Sequence, residues 1–224
     1  MAADIREGLG RPFKEIPPKY FYDARGSELF DLITEQPEYY QTRAERSILN
    51  RYAPEIVARA GARELVELGS GSASKTRALL HAMAGAGTLR RYVPVDVSMT
   101  VVERCAEQLV ELFPGLSVHG LVGDFERHLV HLPAGESRLF AFLGGTIGNL
   151  VRDERIAFLS SLSELLESGD RLLLGIDLVK DPAVIEAAYN DRAGVTASFN
   201  RNVLHAINLE LDADFRPEDF DHVA

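Results

Sequence analysis

A glycine turn at Gly69 and Gly71 is the feature of this chain that is best suited to chemistry. It follows the short apolar run Leu65 to Leu68, which predicts a β-strand, and it precedes residues that predict an α-helix through Leu80. In an open parallel sheet, such a turn lets backbone N–H groups approach a ligand beyond the carboxyl end of the strand. We therefore expect a cofactor to bind at this turn.

Three classes of cofactor are compatible with the turn to different degrees. A dinucleotide site would have a third glycine where Ser74 stands. A P-loop would also have glycine there, and it would continue with the lysine and threonine that this chain has at Lys75 and Thr76. The third class is the turn of S-adenosylmethionine (SAM) methyltransferases, which has an acidic residue two places before the first glycine, as Glu67 is here.

The charge of Glu67 favours SAM among these ligands. A carboxylate at the end of the strand opposes the binding of a triphosphate, whereas SAM carries an ammonium and a sulfonium that a carboxylate attracts. A P-loop nucleotide binder is the less favoured alternative. It could use the run Leu172 to Asp177 as its metal-binding strand, but it leaves Asp96 and Asp124 without a role.

Polar side chains follow the other predicted strands at the points where those strands end. Asp96 is in the position from which a carboxylate binds ribose hydroxyls in this class of sheet. Asp124 and Phe125 follow the third strand, where they could hydrogen-bond to an adenine and stack on it. Asn149 closes the glycine-containing stretch after the fourth strand, and Asp177 follows the fifth.

Alternating strands and helices must position these residues. Strands are predicted at Leu65 to Leu68, Tyr92 to Val95, Leu116 to Val122, Leu139 to Leu143 and Arg171 to Ile176. Amphipathic helices are predicted between them, including Ser98 to Phe113 and Arg152 to Glu167. This alternation predicts an α/β fold, with a mostly parallel sheet and helices on both of its faces. Residues 1–60 precede the first strand and predict a helical segment that covers the active site, with Ser27 as an N-cap.

The composition argues against several classes of partner. The chain has 224 residues, 46% hydrophobic and 26% charged, which is ordinary for a soluble globular protein. A net charge of −10 argues against nucleic acid and anionic membranes. The single cysteine, Cys105, and the scattered histidines predict no disulfide and no metal site. Without a signal peptide pattern or a membrane-spanning run, we expect a cytoplasmic protein, and we expect it to be a monomer.

With these motifs assembled, the chain resembles the SAM-dependent histidine Nα-methyltransferases of ergothioneine biosynthesis. The matching motifs span nearly the whole chain: Ile16 to Asp23, Pro37 to Arg43, Glu67 to Gly71, Lys75 to Arg77, Gly123 to Phe125, Thr146 to Leu150, Asp177 to Asp181, and Tyr189 with Gly194 to Asn202. The resemblance implies a Rossmann-like class I methyltransferase fold. It also implies that SAM donates methyl groups to the α-amino group of L-histidine three times, giving hercynine. Methylation of another aromatic amino acid and an inactive SAM-binding fragment remain alternatives.

The resemblance further implies roles for individual residues. The cofactor would be bound by Gly69, Lys75, Asp96, Asp124 and Phe125. The histidine would be bound by Asn149 at its amine and by Tyr39 and Tyr189 at its carboxylate, with Tyr22 nearby. Asn149 and Tyr39 are the candidates for catalytic residues.

The resemblance also implies a division of the chain into three parts. The N-terminal helical segment would be residues 1–60, and the SAM-binding core would be residues 61–180. Residues 181–224 would begin a small substrate-binding domain. Because this family continues beyond the position of Ala224, we expect that domain to be truncated at the C-terminus, without the residues that recognise the imidazole.

Overall fold

The apolar runs of the sequence form one parallel sheet in the computed structural model, which describes all of residues 1–224. Its strands are β1 (Glu64–Leu68), β2 (Arg91–Asp96), β3 (Ser117–Val118), β4 (Leu121–Val122), β5 (Arg138–Phe142) and β6 (Arg171–Leu174). The strand order is β3-β2-β1-β5-β6, with β4 also beside β2. Every pairing is parallel, so the prediction of a mostly parallel sheet is confirmed.

Helices follow the strands as the alternating pattern predicts. The eight α-helices are α1 (Ala2–Gly10), α2 (Ala24–Glu35), α3 (Tyr40–Ala60), α4 (Arg77–Gly85), α5 (Met99–Leu112), α6 (Arg152–Leu165), α7 (Pro182–Tyr189) and α8 (Val195–Leu211). Short 3₁₀ helices are present at Pro18–Phe21, Leu129–His131, Thr146–Asn149 and Pro217–Asp219. None of the helices is both long enough and apolar enough to span a membrane.

Alternate side chains of the strands pack into two separate cores, one on each face of the sheet. Leu65 of β1 joins the core that α3, α4 and α5 cover, which includes Leu49, Leu79 and Leu109. Its neighbour Val66 joins the core on the other face, to which α6 contributes Phe158 and Leu162. Since both faces of the sheet are covered, β1 has no side that faces water.

Two local predictions differ from the structure. The single strand expected from Leu116 to Val122 is divided into β3 and β4. Between them, Gly120 lies so close to Val102 of α5 that a Cβ would overlap that side chain. The N-cap of α2 is Asp23, whose carboxylate accepts a hydrogen bond from the N–H of Gly26 over 2.6 Å. Ser27 lies within the first turn, so its predicted role as N-cap is wrong.

The chain divides into two compact units. Unit 1 comprises Met1–Tyr40 and Val179–Ala224, and unit 2 comprises Gln41–Leu178. All but the first residue of α3 belongs to unit 2, where Leu49 and Val57 join the core of the sheet. Unit 1 has its own apolar clusters, built mainly from α1, α2 and α8. The functions assigned to residues 1–60 and 181–224 stay predictions.

Candidate active site

The strands of unit 2 bring six of the predicted site residues to one edge of the sheet. Leu68 at the end of β1 pairs with Val95 of β2 on one side and with Phe142 of β5 on the other. Gly69, Asp96 and the chain that leads to Asn149 therefore leave the sheet side by side. Because the connections reverse direction between β1 and β5, this edge is a topological switch point, where open α/β sheets bind their ligands.

The glycine turn after β1 has the backbone conformation that a close ligand requires. Gly69 and Gly71 have φ values of 70° and 50°, in the left-handed region that favours glycine. The N–H of Gly69 donates to the carbonyl of Val95 over 2.8 Å, which ties the turn to β2. A Cβ on either glycine would meet no atom within 4 Å, and the buried hydroxyl of Ser70 has no hydrogen-bond partner within the chain. Open space beside an unpaired hydroxyl suits a ligand with polar atoms.

Asp96 at the end of β2 shapes this turn as well as presenting a carboxylate. Its Oδ2 accepts a hydrogen bond from the N–H of Gly71 over 2.9 Å, and its Oδ1 accepts one from the N–H of Ser98 over 3.0 Å. Burial raises the pKa of Asp96, and these backbone donors partly oppose that rise. The oxygens keep further lone pairs with which ribose hydroxyls can be bound.

Asp124 and Phe125 follow β4 at the same edge. The side chain of Asp124 is buried, and its Oδ1 accepts a hydrogen bond from the N–H of Glu126 over 2.8 Å. The ring of Phe125 is half-buried and packs at a steep angle against Phe142 and Phe158, with centroids 5.1 and 5.6 Å apart. The packing fixes the ring at the end of the strand, where one face can stack on a planar base.

Glu67 differs from the expectation that its charge faces the cofactor. It is 3% exposed, and its carboxylate accepts hydrogen bonds from the hydroxyls of Thr76 and Tyr92. Burial raises the pKa of Glu67 to about 7, although the two hydroxyl donors oppose the rise. Glu67 therefore acts inside the fold, where it joins β1 and β2 to the residue that precedes α4.

Lys75 forms an ion pair with Glu45, a residue that the sequence did not indicate. Glu45 lies on α3, and its carboxylate accepts a hydrogen bond from Lys75 Nζ. The same carboxylate accepts from the backbone N–H of Gly144, at 2.8 Å for Oε1 and 3.0 Å for Oε2. These partners are 30 and 99 residues away along the chain, and no local spacing signals such contacts.

Asn149 ends the 3₁₀ helix that follows β5. Gly144 and Gly145 turn the chain with φ values of 77° and 69°, and the hydroxyl of Thr146 donates to the carbonyl of Leu143 over 2.9 Å. Asn149 itself is exposed. Its amide is therefore available to a ligand at the carboxyl edge.

Unit 1 holds the three predicted substrate-binding tyrosines in a set of aromatic contacts. Tyr39 is buried and packs edge-on against Tyr189, with centroids 5.9 Å apart, and against Phe30 at 6.3 Å. Tyr22 contacts Phe30 and Phe199 at 5.4 and 5.5 Å. Unit 1 thus brings Tyr22, Tyr39 and Tyr189 together, and their roles toward a substrate stay predictions.

The donors and acceptors at the carboxyl edge match the chemistry of SAM. Carboxylates at Asp96 and Asp124 suit hydroxyl and amino groups, and the ammonium of Lys75 suits a carboxylate. A ring at Phe125 suits a purine. The chain contains no cluster of three or more histidine, cysteine, aspartate or glutamate residues arranged to hold a metal ion.

Comparisons with known proteins agree with this chemistry. Over 221 residues the chain is 52% identical to a histidine N-alpha-methyltransferase of Mycolicibacterium smegmatis, and the match covers 99% of this chain and 69% of that protein. It is 35% identical over 201 residues to ergothioneine biosynthesis protein 1 of Neurospora crassa, covering 87% of this chain and 23% of that protein.

The fold also agrees with a solved structure, that of a DUF574 family protein from Streptomyces avermitilis. The TM-score is 0.54 at 20% identity, over 81% of this chain and 75% of that one, which is evidence for the fold alone. The family model described as "Histidine-specific methyltransferase, SAM-dependent" matches residues 1–224. The chain therefore belongs to the family of SAM-dependent, histidine-specific methyltransferases, as its motifs predict, and has their Rossmann-like fold.

Proposed function

We propose that this chain transfers methyl groups from SAM to the α-amino group of L-histidine three times, and so makes hercynine for ergothioneine biosynthesis. The observation that carries the proposal is the 52% identity, over 99% of this chain, to an enzyme named for histidine Nα-methylation. The geometry of the carboxyl edge supports it, because the glycine turn and its neighbouring carboxylates suit SAM. Nothing in the structure favours a P-loop nucleotide binder.

The cofactor residues divide by the part of SAM that each can bind. Asp96 accepts hydrogen bonds from the ribose hydroxyls, while Asp124 and Phe125 bind the adenine. The turn at Gly69 brings the backbone close to the amino-acid end, whose carboxylate pairs with Lys75. When bound, SAM supplies a methyl group on a positively charged sulfur, and transfer forms an N–C bond as the C–S bond breaks.

The substrate residues must orient the amine, because only an uncharged nitrogen has the lone pair that attacks a methyl group. The side-chain carbonyl of Asn149 accepts a hydrogen bond from an N–H of the neutral primary or monomethylated amine. The neutral dimethylated amine has no N–H, so the contacts with its carboxylate orient it for the third transfer. Tyr39 and Tyr189 bind the carboxylate of histidine, with Tyr22 beside them. Because methylation of the amine does not alter the carboxylate, the same contacts are available in all three transfers. Orientation and exclusion of water supply most of the rate, and each proton that leaves the amine passes to solvent.

The series of methyl transfers ends with the third for a chemical reason. Trimethylated nitrogen is a quaternary ammonium and has no lone pair for another attack. Hercynine is therefore the final product rather than one of a longer series.

The test is incubation of the protein with SAM and L-histidine, followed by mass spectrometry for mono-, di- and trimethylated histidine. We expect trimethylated histidine to accumulate, and parallel reactions with tryptophan, tyrosine and phenylalanine to give no product. A preference for one of those amino acids would contradict the assignment of histidine. Thermal unfolding provides a second check, because SAM should raise the melting temperature and ATP with magnesium should not.

A further inference from the structure

Glu45 lies at the switch point of the sheet, where it contacts both the loop that follows β1 and the loop that follows β5. Its side chain is 16% exposed and that of its ion-pair partner Lys75 is 20% exposed. Lys75 follows β1, and Gly144, whose N–H donates to the same carboxylate, follows β5. A single carboxylate from α3 therefore joins the cofactor turn to the chain that leads to Asn149.

The end of β6 leaves space for this carboxylate. Gly175 follows β6, and its N–H donates to the carbonyl of Phe142 over 2.8 Å. A Cβ on Gly175 would overlap Glu45 Oε1 and would lie 3.2 Å from the Cα of Leu143. The backbone of Gly175 is not left-handed, so the reason for glycine here is space and not conformation.

The ion pair with Glu45 restricts the orientation in which the ammonium of Lys75 can bind a ligand. A lysine side chain has a flexible stem, and an unrestrained lysine would lose rotamer entropy when it binds a ligand. Its ammonium has three N–H donors, so one bond to Glu45 leaves donors for a second anion. Among the charged groups of SAM, only the carboxylate attracts an ammonium.

We propose that Glu45 is a positioning residue for the cofactor. It holds Lys75 in the orientation that binds the carboxylate of SAM, and through Gly144 it fixes that lysine relative to the turn that carries Asn149. The inference rests on the proposed function, because it takes SAM as the ligand of this edge. It concerns the amino-acid end of SAM and leaves the binding of the nucleoside to other residues.

Two other roles for Glu45 predict different results. If the ion pair only held α3 against the sheet, its loss would weaken every ligand of this edge to the same extent. If Glu45 competed with the ligand for Lys75, its loss would strengthen binding. Both alternatives can be separated from positioning with two ligands that differ only in the amino-acid end.

The experiment measures dissociation constants by isothermal titration calorimetry for S-adenosylhomocysteine and for 5′-methylthioadenosine, which lacks the amino and carboxylate groups. Glu45→Gln keeps the size of the side chain and an acceptor for Gly144 but removes the charge. We expect this variant to bind S-adenosylhomocysteine roughly tenfold more weakly, in the range of a charged hydrogen bond. Its affinity for methylthioadenosine should change by less than about twofold.

Two further comparisons test whether the effect passes through Lys75 and whether it is specific to Glu45. In a Lys75→Met background, Glu45→Gln should no longer change the affinity for S-adenosylhomocysteine, because the two residues act as one unit. Glu55→Gln, at an exposed position of the same helix, is the matched control and should leave both affinities unchanged. Equal weakening of both ligands, tighter binding of S-adenosylhomocysteine, unchanged binding, or an effect that persists without Lys75 would each overturn the proposal.

The same measurements separate this inference from the proposed function. Wild-type protein that binds S-adenosylhomocysteine and methylates histidine, with no change in Glu45→Gln, overturns the role of Glu45 alone. Wild-type protein that binds S-adenosylhomocysteine but methylates another amino acid overturns the choice of histidine, and the titrations still decide the role of Glu45. Wild-type protein that binds neither SAM nor S-adenosylhomocysteine overturns both.

Discussion

The carboxylate of Asp96 accepts a hydrogen bond from the backbone N–H of Gly71 over 2.9 Å, so the end of β2 fixes the glycine turn that follows β1. The other carboxylate oxygen accepts from the N–H of Ser98 over 3.0 Å. An ionised carboxylate offers about four lone-pair sites, so these two bonds leave acceptors for a ligand. Asp96 can therefore shape the turn and bind a ribose at the same time.

Replacing Asp96 by asparagine should weaken cofactor binding, because an amide has only one acceptor oxygen. One of the two backbone N–H groups would then face the NH₂ group, and the ribose would lose an acceptor. We expect the dissociation constant of S-adenosylhomocysteine to rise by roughly 10- to 100-fold, the range for a lost hydrogen bond to a charged group. Calorimetric titration measures this, with Glu107→Gln on the exposed side of α5 as the control. An unchanged constant in the Asp96 variant would contradict its role.

The carboxyl-edge residues could be predicted because the rule that brings them together is a property of parallel sheets. Once the apolar runs are taken as parallel strands, the residues after each strand must emerge at the same edge. Gly69, Asp96 and Asp124 follow from that rule alone. The tyrosines do not, because the sequence pattern leaves open how the elements that carry them pack. Tyr39 lies just before α3 and Tyr189 ends α7, and only the family resemblance indicated them.

Glu45 and the partners of Glu67 could not be predicted for two different reasons. Glu45 lies in a helix among other charged residues, so its pattern is that of a solvent-exposed face, and its contacts are distant in the chain. Glu67 was expected to face the cofactor at the end of its strand. Glu67 is the residue before the last one of β1, however, and helices cover both faces of that strand, so its side chain must be buried. A buried carboxylate needs hydrogen-bond donors.

Replacing Asn149 by alanine should slow methylation without changing cofactor affinity. The side chain is exposed after β5, so its loss removes a contact with the amine and no packing in the core. We expect the turnover number at saturating histidine to fall by about 10- to 100-fold, as for one lost hydrogen bond in the transition state. Asn50→Ala, at an exposed position of α3, is the matched control. Full turnover in the Asn149 variant would exclude the assigned role.

Glu67 should make the stability of the protein fall as pH rises toward neutrality. Burial raises its pKa from 4.5 to about 7. At pH values between these two, the folded protein keeps a proton on Glu67 and the unfolded protein does not. The stability that this proton provides is complete below about pH 4.5 and is lost as pH passes through about 7. Burial also raises the pKa of the neighbouring Cys105 to about 11. Of these two buried groups, only Glu67 titrates between pH 5 and 8.

Glu67→Gln removes this titration and shows its size. The free energy of unfolding of the variant, relative to wild type, should increase as pH rises from about 5 to about 8, by up to roughly 3 kcal/mol. Urea denaturation at several pH values measures the difference, and Glu107→Gln again serves as the control because it is exposed. A difference that is constant with pH would show that the proton on Glu67 is not linked to folding.

Replacing Gly175 by alanine should disturb Glu45 without touching the ion pair chemically. The new methyl group would occupy the place of Glu45 Oε1 and press on the backbone at Leu143, so the carboxylate must move away from Lys75. We expect S-adenosylhomocysteine to bind several-fold more weakly and methylthioadenosine to bind as before, with a loss of stability of about 1 kcal/mol from overpacking.

Gly85→Ala is the matched control for this substitution, because a Cβ there would meet no atom within 4 Å and the backbone is not left-handed. It should leave both affinities unchanged. In a Glu45→Ala background the Gly175 substitution should also lose its effect on S-adenosylhomocysteine, since the carboxylate that it displaces is already gone. If Gly175→Ala still weakened that ligand in the absence of Glu45, the glycine would serve the cofactor site by another route, through the backbone after β5.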